Sequence, residues 1–180
     1  MLTAVLFLPV LGAIALFLVP KNQESRIRRV AFGATLATFA VSIPVFLGYD
    51  AARAASGETF QFTGSWTWVP SLGITFKIGV DGISLLLVML VTFLMPIVVA
   101  SSHHAIGTRR RDFYALLLAL EFFMIGAFVA RDLFLFYVFW ELMVVPMFFI
   151  IGIWGGAPRI YAATKFFLFT LFGSLPMLAA

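Results

Sequence analysis

Long apolar runs separated by short charged segments restrict what this chain can fold into more than any other feature. The runs lie near residues 2–19, 29–48, 82–101, 113–130 and 133–155, with a last one from 161 onward. Each is about as long as a helix needs to cross a bilayer. The expectation is an all-α, polytopic transmembrane bundle of about six spans. Composition agrees, with 63% hydrophobic and 11% charged residues and a mean hydropathy of +1.09, whereas soluble domains carry about a quarter charged residues. The 22 Phe lie largely inside the apolar runs, not on a basic face, which argues against nucleic-acid binding. Without cysteine there is no disulfide and no thiolate site for zinc or iron–sulfur.

Charge placement gives the expected orientation. Lys21, Arg26, Arg28 and Arg29 follow the first run, Arg109 to Arg111 the third and Arg159 the fifth. All fall on one side, which the positive-inside rule makes cytoplasmic, with the N-terminus outside. The first run lacks a preceding basic region and is followed by cations, the reverse of a cleaved signal peptide, so it is a retained span. Tyr49 to Val80, with Trp66, Trp68, Pro70 and several Gly, becomes an external segment, read as a short hairpin at the interface. The last run reaches Ala180 without a cap, Gly or charged flank, and the protein is expected to continue beyond it.

Two carboxylates lie well inside apolar spans, Glu121 in LLLALEFFMIGAF and Glu141 in LFYVFWELMVVPMFF. An ionised side chain at that depth costs about 2.5 to 3.5 kcal/mol even on insertion scales. Protonation, a cationic partner or water must offset the cost, and each makes the group responsive to its surroundings. Both stand ten residues from Arg131, in the turn between their spans. In an antiparallel hairpin that is equal depth, about 15 Å from the turn at 1.5 Å per residue. Two carboxyls at one level can pass a proton directly or through water. The competing reading is a hydrogen-bonded tie between helices, but intramembrane acids mark ion or proton paths by default.

Other candidates are weaker. Pro146 leaves the carbonyl of Leu142 without its helical partner, which either admits water near Glu141 or only kinks the helix. Lys165 either snorkels to the interface or joins a proton relay. His103 and His104 read as loop residues between the third span and the basic run, not as metal or haem ligands. Asp81, in DGIS, reads as a helix cap. No dinucleotide or phosphate loop and no nucleophilic triad stands out, so redox and hydrolytic chemistry are not expected on this chain.

The stretches GVDGISLLLVMLVTFLMPI, EFFMIGAFVARDLFLFYVFWELMVVPMFFIIGIWGG and RIYAATKFFLFTLFGSLPMLAA together resemble the subunit M family of bacterial NADH:quinone oxidoreductase (complex I), whose mitochondrial counterpart is chain 4. The resemblance covers most of residues 79–180, while the first two spans agree in hydropathy and placement more than in motif. The FWE-x-M-x-x-P core is shared with membrane subunits of multisubunit cation/proton antiporters and membrane hydrogenases. The resemblance implies a proton-pumping membrane-arm subunit of fourteen helices with inverted repeats of five, in the bacterial inner membrane, coupled to quinone reduction elsewhere. It implies other antiporter-like membrane-arm subunits as partners and no cofactor on this chain, neither NADH nor flavin. The family's fifth-helix glutamate falls on Glu141, its fourth-helix acid on Glu121 and the lysine of its KFF motif on Lys165. Residues 1–80 are then two helices and an external loop, and 81–180 the start of the proton-translocating domain. A sodium/proton antiporter subunit and a purely structural membrane subunit are the alternatives.

Overall fold

Every long apolar run is helical in the computed structural model, which describes residues 1–70 and 74–179. Helices α1 (Leu2–Leu18) and α2 (Glu24–Leu47) come first, followed by the short α3 (Ala51–Ala55). Strands β1 (Gln61–Val69) and β2 (Ile74–Val80) lead into α4 (Gly82–Ala105), α5 (Arg110–Val129), α6 (Leu133–Trp154) and α7 (Arg159–Ala179). Among the described residues, α2, α4, α5, α6 and α7 are long and apolar enough to cross a membrane. The 17-residue α1 is shorter, at the lower limit of spanning length. The chain is therefore a multi-pass membrane bundle.

The helix ends follow local chemistry. Asp81 caps α4 in a reciprocal capping box with Ser84, its carboxylate accepting from Ser84 N at 2.7 Å while Ser84 Oγ accepts from Asp81 N at 2.9 Å. Asp132 begins α6, accepting from the backbone N–H groups of Phe134 and Leu135 at 3.0 and 3.1 Å. Prolines 9, 44, 96, 146 and 176 all lie inside helices, as membrane helices allow. His103 and His104 fall in the last turn of α4, which runs past the apolar residues to Ala105, and not in a loop.

Within the external segment β1 and β2 pair antiparallel, Trp66 opposite Phe76 and Thr67 opposite Thr75. Trp66 and Trp68 are about half exposed, as interfacial anchors are. The hairpin is the one departure from helix among the described elements, and α3 is a further element not expected from the sequence. The sheet docks on the turn between α5 and α6. Ile78 bridges Ala130, Arg131 N donates to Lys77 O at 2.9 Å, and the Arg131 guanidinium lies 4.2 Å from the Phe60 ring centroid.

The opposite end gathers the cationic turns. Arg110 at the start of α5 pairs with Glu24 at the start of α2. Trp154 Nε1, at the end of α6, donates to Thr108 O at 2.8 Å in the turn before α5. The basic segments thus share one end of the bundle and the hairpin occupies the other.

Helix α5 is the centre, packed against α1, α2, α4 and α6. Small residues allow this. A Cβ at Gly12 would run into Ala34 of α2 and come within 3.3 Å of Leu118 of α5, the close approach that membrane helices use in place of a hydrophobic driving force.

Candidate functional site

Two buried apolar clusters divide the bundle along its length. The cluster at the hairpin end includes Leu6, Val45, Ile78, Val88, Ile125, Leu135 and Phe139. The one at the arginine-rich end includes Leu16, Ala31, Met95, Val99, Phe113 and Leu118. The polar side chains buried inside α2, α4 and α5 fall between them. On α5, Glu121 lies between Leu118 and Ile125; on α2, Thr35, Thr38 and Ser42 lie between Ala31 and Val45; on α4, Thr92 lies between Val88 and Met95. Five side chains from three helices thus make a polar layer near mid-bundle.

Glu121 is 0% exposed, and neither of its carboxyl oxygens has a hydrogen-bond partner among the described residues. It sits on the most buried of the spanning helices, one residue before Phe122. The Phe122 ring packs edge-on against Phe139 of α6, with centroids 5.5 Å apart. The Phe139 ring also lies against Gly126, one turn further along α5. These contacts pack α5 and α6 antiparallel beside each other, and the count of ten residues from Arg131 puts Glu121 and Glu141 at similar depth along them.

Glu141 has different surroundings. It is half-buried, and Ser174 Oγ of α7 donates to its Oε1. The same hydroxyl lies 3.0 Å from Leu171 O, so its single proton has two competing acceptors. Ser174 reaches Glu141 because α7 turns one face to α6. Ala163 and Ser174, both buried, are eleven residues apart, about three full helical turns. Gly152 of α6 leaves the space into which Ala163 fits, at 3.6 Å from a built Cβ.

Lys165 is two residues from Ala163, about 200° around the helix, and is exposed on the far face of α7. Its ammonium lies 5.7 and 5.9 Å from the ring centroids of Tyr161 and Phe169. The fold therefore brings Glu141 to Ser174, sets Glu121 level with it on the adjacent helix, and holds Lys165 away from both.

The hydroxyl residues of the polar layer were not singled out from the sequence, although the spacing of Thr35, Thr38 and Ser42 is that of one helical face. Each donates to a carbonyl of its own helix, as Thr38 does to Ala34 O at 3.0 Å. Ser42 and Thr92 also bond to each other at 3.0 Å, tying α2 to α4.

Comparison with known proteins fits this geometry. A family model described as NADH:quinone oxidoreductase/Mrp antiporter, TM, matches residues 130–180, the segment that carries Glu141 and Ser174. NADH-quinone oxidoreductase subunit M of Rhodobacter capsulatus is 46% identical over 184 residues, covering 100% of this chain and 35% of that protein. Over its whole length the chain is similar to this subunit and to the NADH-ubiquinone oxidoreductase chain 4 of Arabidopsis thaliana, which is 42% identical over 180 residues, covering 99% of this chain and 36% of that protein. It spans about a third of the length of the curated relatives it matches. A chain of respiratory complex I from Thermus thermophilus superposes with a TM-score of 0.83 at 29% identity, covering 99% of this chain and 34% of that one. The Mrp complex of a Dietzia species gives 0.79 at 21% identity over 99% of this chain and 18% of its own, a likeness of fold alone.

Proposed function

We propose that this chain contributes the first spans of a proton-translocating membrane-arm subunit of an NADH:quinone oxidoreductase, with Glu141 and Glu121 on the proton path. The supporting observation is the pair of carboxyls at one depth on adjacent helices, α5 and α6, between two apolar clusters. An unpartnered carboxyl at that depth is expensive to keep for packing alone. In this reading the chain does no redox chemistry and holds no cofactor. Residues 1–80 form an N-terminal pair of helices with an external hairpin, and 81–180 open the translocating domain. The arginine-rich end faces the cytoplasm of a bacterial inner membrane and the N-terminus lies outside. The partners are neighbouring antiporter-like subunits of the membrane arm.

The mechanism follows from what each carboxyl touches. Ser174 donates to Glu141 and steadies it on the side facing α7. A signal from neighbouring subunits that repositions α7 against α6 changes the partners of Glu141, and with them its proton affinity. A proton leaving Glu141 finds Glu121 at the same level, reached through water. Lys165 stands outside this minimal path.

Replacing Glu141 by Gln in the assembled complex, with proton pumping measured in vesicles, tests the proposal. Pumping is expected to be lost while the complex assembles; undiminished pumping would overturn the role of Glu141. Sodium-dependent pH changes, with no NADH dehydrogenase activity copurifying, would instead mark a sodium/proton antiporter. Assembly defects with normal pumping per complex would mark a structural subunit.

A further inference from the structure

Arg28 and Arg29 line two adjoining recesses at the basic end of the bundle. One is a polar cavity of about 700 Å³ that also takes in Asn22, Gln23, Ser25 and Arg26, with Glu24 on its wall already paired to Arg110. The other, about 320 Å³, lies between α2 and α4 and is lined by Phe32, Gly33 and Ala100 below the two arginines. A Cβ at Gly33 would have no neighbour within 4 Å, so the groove is open there. Further towards mid-bundle, Leu36 of α2 and Phe93 and Ile97 of α4 are exposed apolar side chains.

Charge decides what fits the upper part. Among the described residues neither Arg28 nor Arg29 has a carboxylate within ion-pair distance, and the Arg29 Nε–H donates only to Ser25 O. Eight cations at this end of the chain, from Lys21 to Arg159, face two carboxylates, Glu24 and Asp112. Two guanidinium groups above an apolar groove on a membrane-embedded helix match a phosphate above an acyl chain. An acidic protein segment would satisfy the arginines but leave the apolar track uncovered. Gln23 lines the same cavity, and its side-chain amide can bond a headgroup hydroxyl, which a glycerol headgroup supplies and a choline headgroup does not.

We propose that Arg28, Arg29 and the α2–α4 groove at Gly33 form a binding site for an anionic phospholipid with a glycerol headgroup. The phosphate sits between the two guanidinium groups, the headgroup hydroxyls reach Gln23, and one acyl chain runs past Gly33 and Ala100 along Phe32 and Phe93. The site is independent of the transport reading, since none of its residues lies on the proposed proton path.

The test uses the full-length protein purified in mild detergent, delipidated and offered phosphatidylglycerol, phosphatidylcholine of the same acyl chains, or inorganic phosphate. Retained lipid is counted by native mass spectrometry. Phosphatidylglycerol is expected to be retained in preference to phosphatidylcholine. Arg28→Gln with Arg29→Gln is expected to weaken it about thirtyfold, at about fivefold for each interfacial cation. Gly33→Leu keeps both charges but fills the groove and is expected to reduce retention as well, while Arg109→Gln leaves it at the wild-type level. Equal retention of phosphatidylcholine, full displacement by equimolar inorganic phosphate, or equal losses in the Arg109→Gln control would each overturn the site. So would an acidic segment of another subunit crosslinked into the groove.

Discussion

At Gly126 the contact between α5 and α6 leaves no room for a side chain, because a Cβ there would meet the ring of Phe139. Gly126→Ala must therefore either part the two helices or turn that ring. The ring packs edge-on with Phe122 at 5.5 Å and Phe76 at 6.2 Å, and each such pair is worth about 0.5 to 1.5 kcal/mol beyond the area it buries. Losing both costs about 1 to 3 kcal/mol, the same as the usual range for overpacking a core. The two routes agree, so Gly126→Ala is expected to destabilise by about 1 to 3 kcal/mol. Phe139→Ala alone removes a buried ring and is expected to cost about 3 to 5 kcal/mol. With both changes the new methyl lies in the space the ring has vacated, and the penalty of Gly126→Ala should largely disappear. Unfolding of the purified protein in mixed micelles with increasing dodecyl sulfate, followed by tryptophan fluorescence, gives the cycle. Additive single effects, within the few tenths of a kcal/mol that independent sites show, would refute the claim that these two residues set the spacing of α5 and α6.

Three further outcomes follow from individual contacts. Ser174→Ala removes the donor to Glu141 and should shift the carboxyl infrared band that Glu141→Gln identifies; an unmoved band would mean that the contact is absent in the membrane. Asp132→Ala takes the cap from α6 and is expected to cost about 0.5 to 2 kcal/mol in the same micelle titration, with Asp132→Asn closer to wild type. Thr92→Val breaks the tie between α2 and α4, and the expected loss is only about 0.6 kcal/mol, the average for a hydrogen bond between membrane helices; a loss above about 2 kcal/mol would mean that Thr92 has further partners.

The spans were legible because hydropathy in a bilayer is a strong signal. Every helix longer than α3 coincides with an apolar run, with ends moved by a few residues where caps or charged turns extend it, as at Glu24 and Arg110. The hairpin was legible from Trp66, Trp68, Pro70 and the glycines, and from the lack of any apolar run between Tyr49 and Val80. Its docking on Arg131 was not, because that contact joins segments more than fifty residues apart through main-chain atoms that no side-chain pattern reports. The equal depth of Glu121 and Glu141 could be counted from the turn. Their unequal surroundings could not, since those depend on how helices rotate against each other. Rotation about α7 brings Ser174 to Glu141 and carries Lys165 to the other side.

Lys165 had two readings from the sequence, and its position makes them separable. It follows the first residue of α7 by six positions, about 9 Å along the axis. Its ammonium lies near the rings of Tyr161, closer to the helix start, and Phe169, deeper in. A lysine flexible enough to reach the interface from there loses little by snorkelling; a relay lysine has to keep its charge at a fixed depth. Lys165→Leu removes the charge and Lys165→Arg keeps it on a longer arm. If Lys165 anchors α7 at the interface, pumping by the assembled complex is near wild type in both variants, and only the yield of Lys165→Leu falls. If Lys165 belongs to a relay, pumping per complex falls steeply in Lys165→Leu whatever the yield. The first outcome is expected, because no carboxylate lies within ion-pair distance of this lysine among the described residues and the face of α7 that meets Glu141 is the opposite one. A steep loss of pumping in Lys165→Leu at normal assembly would place it on the path after all.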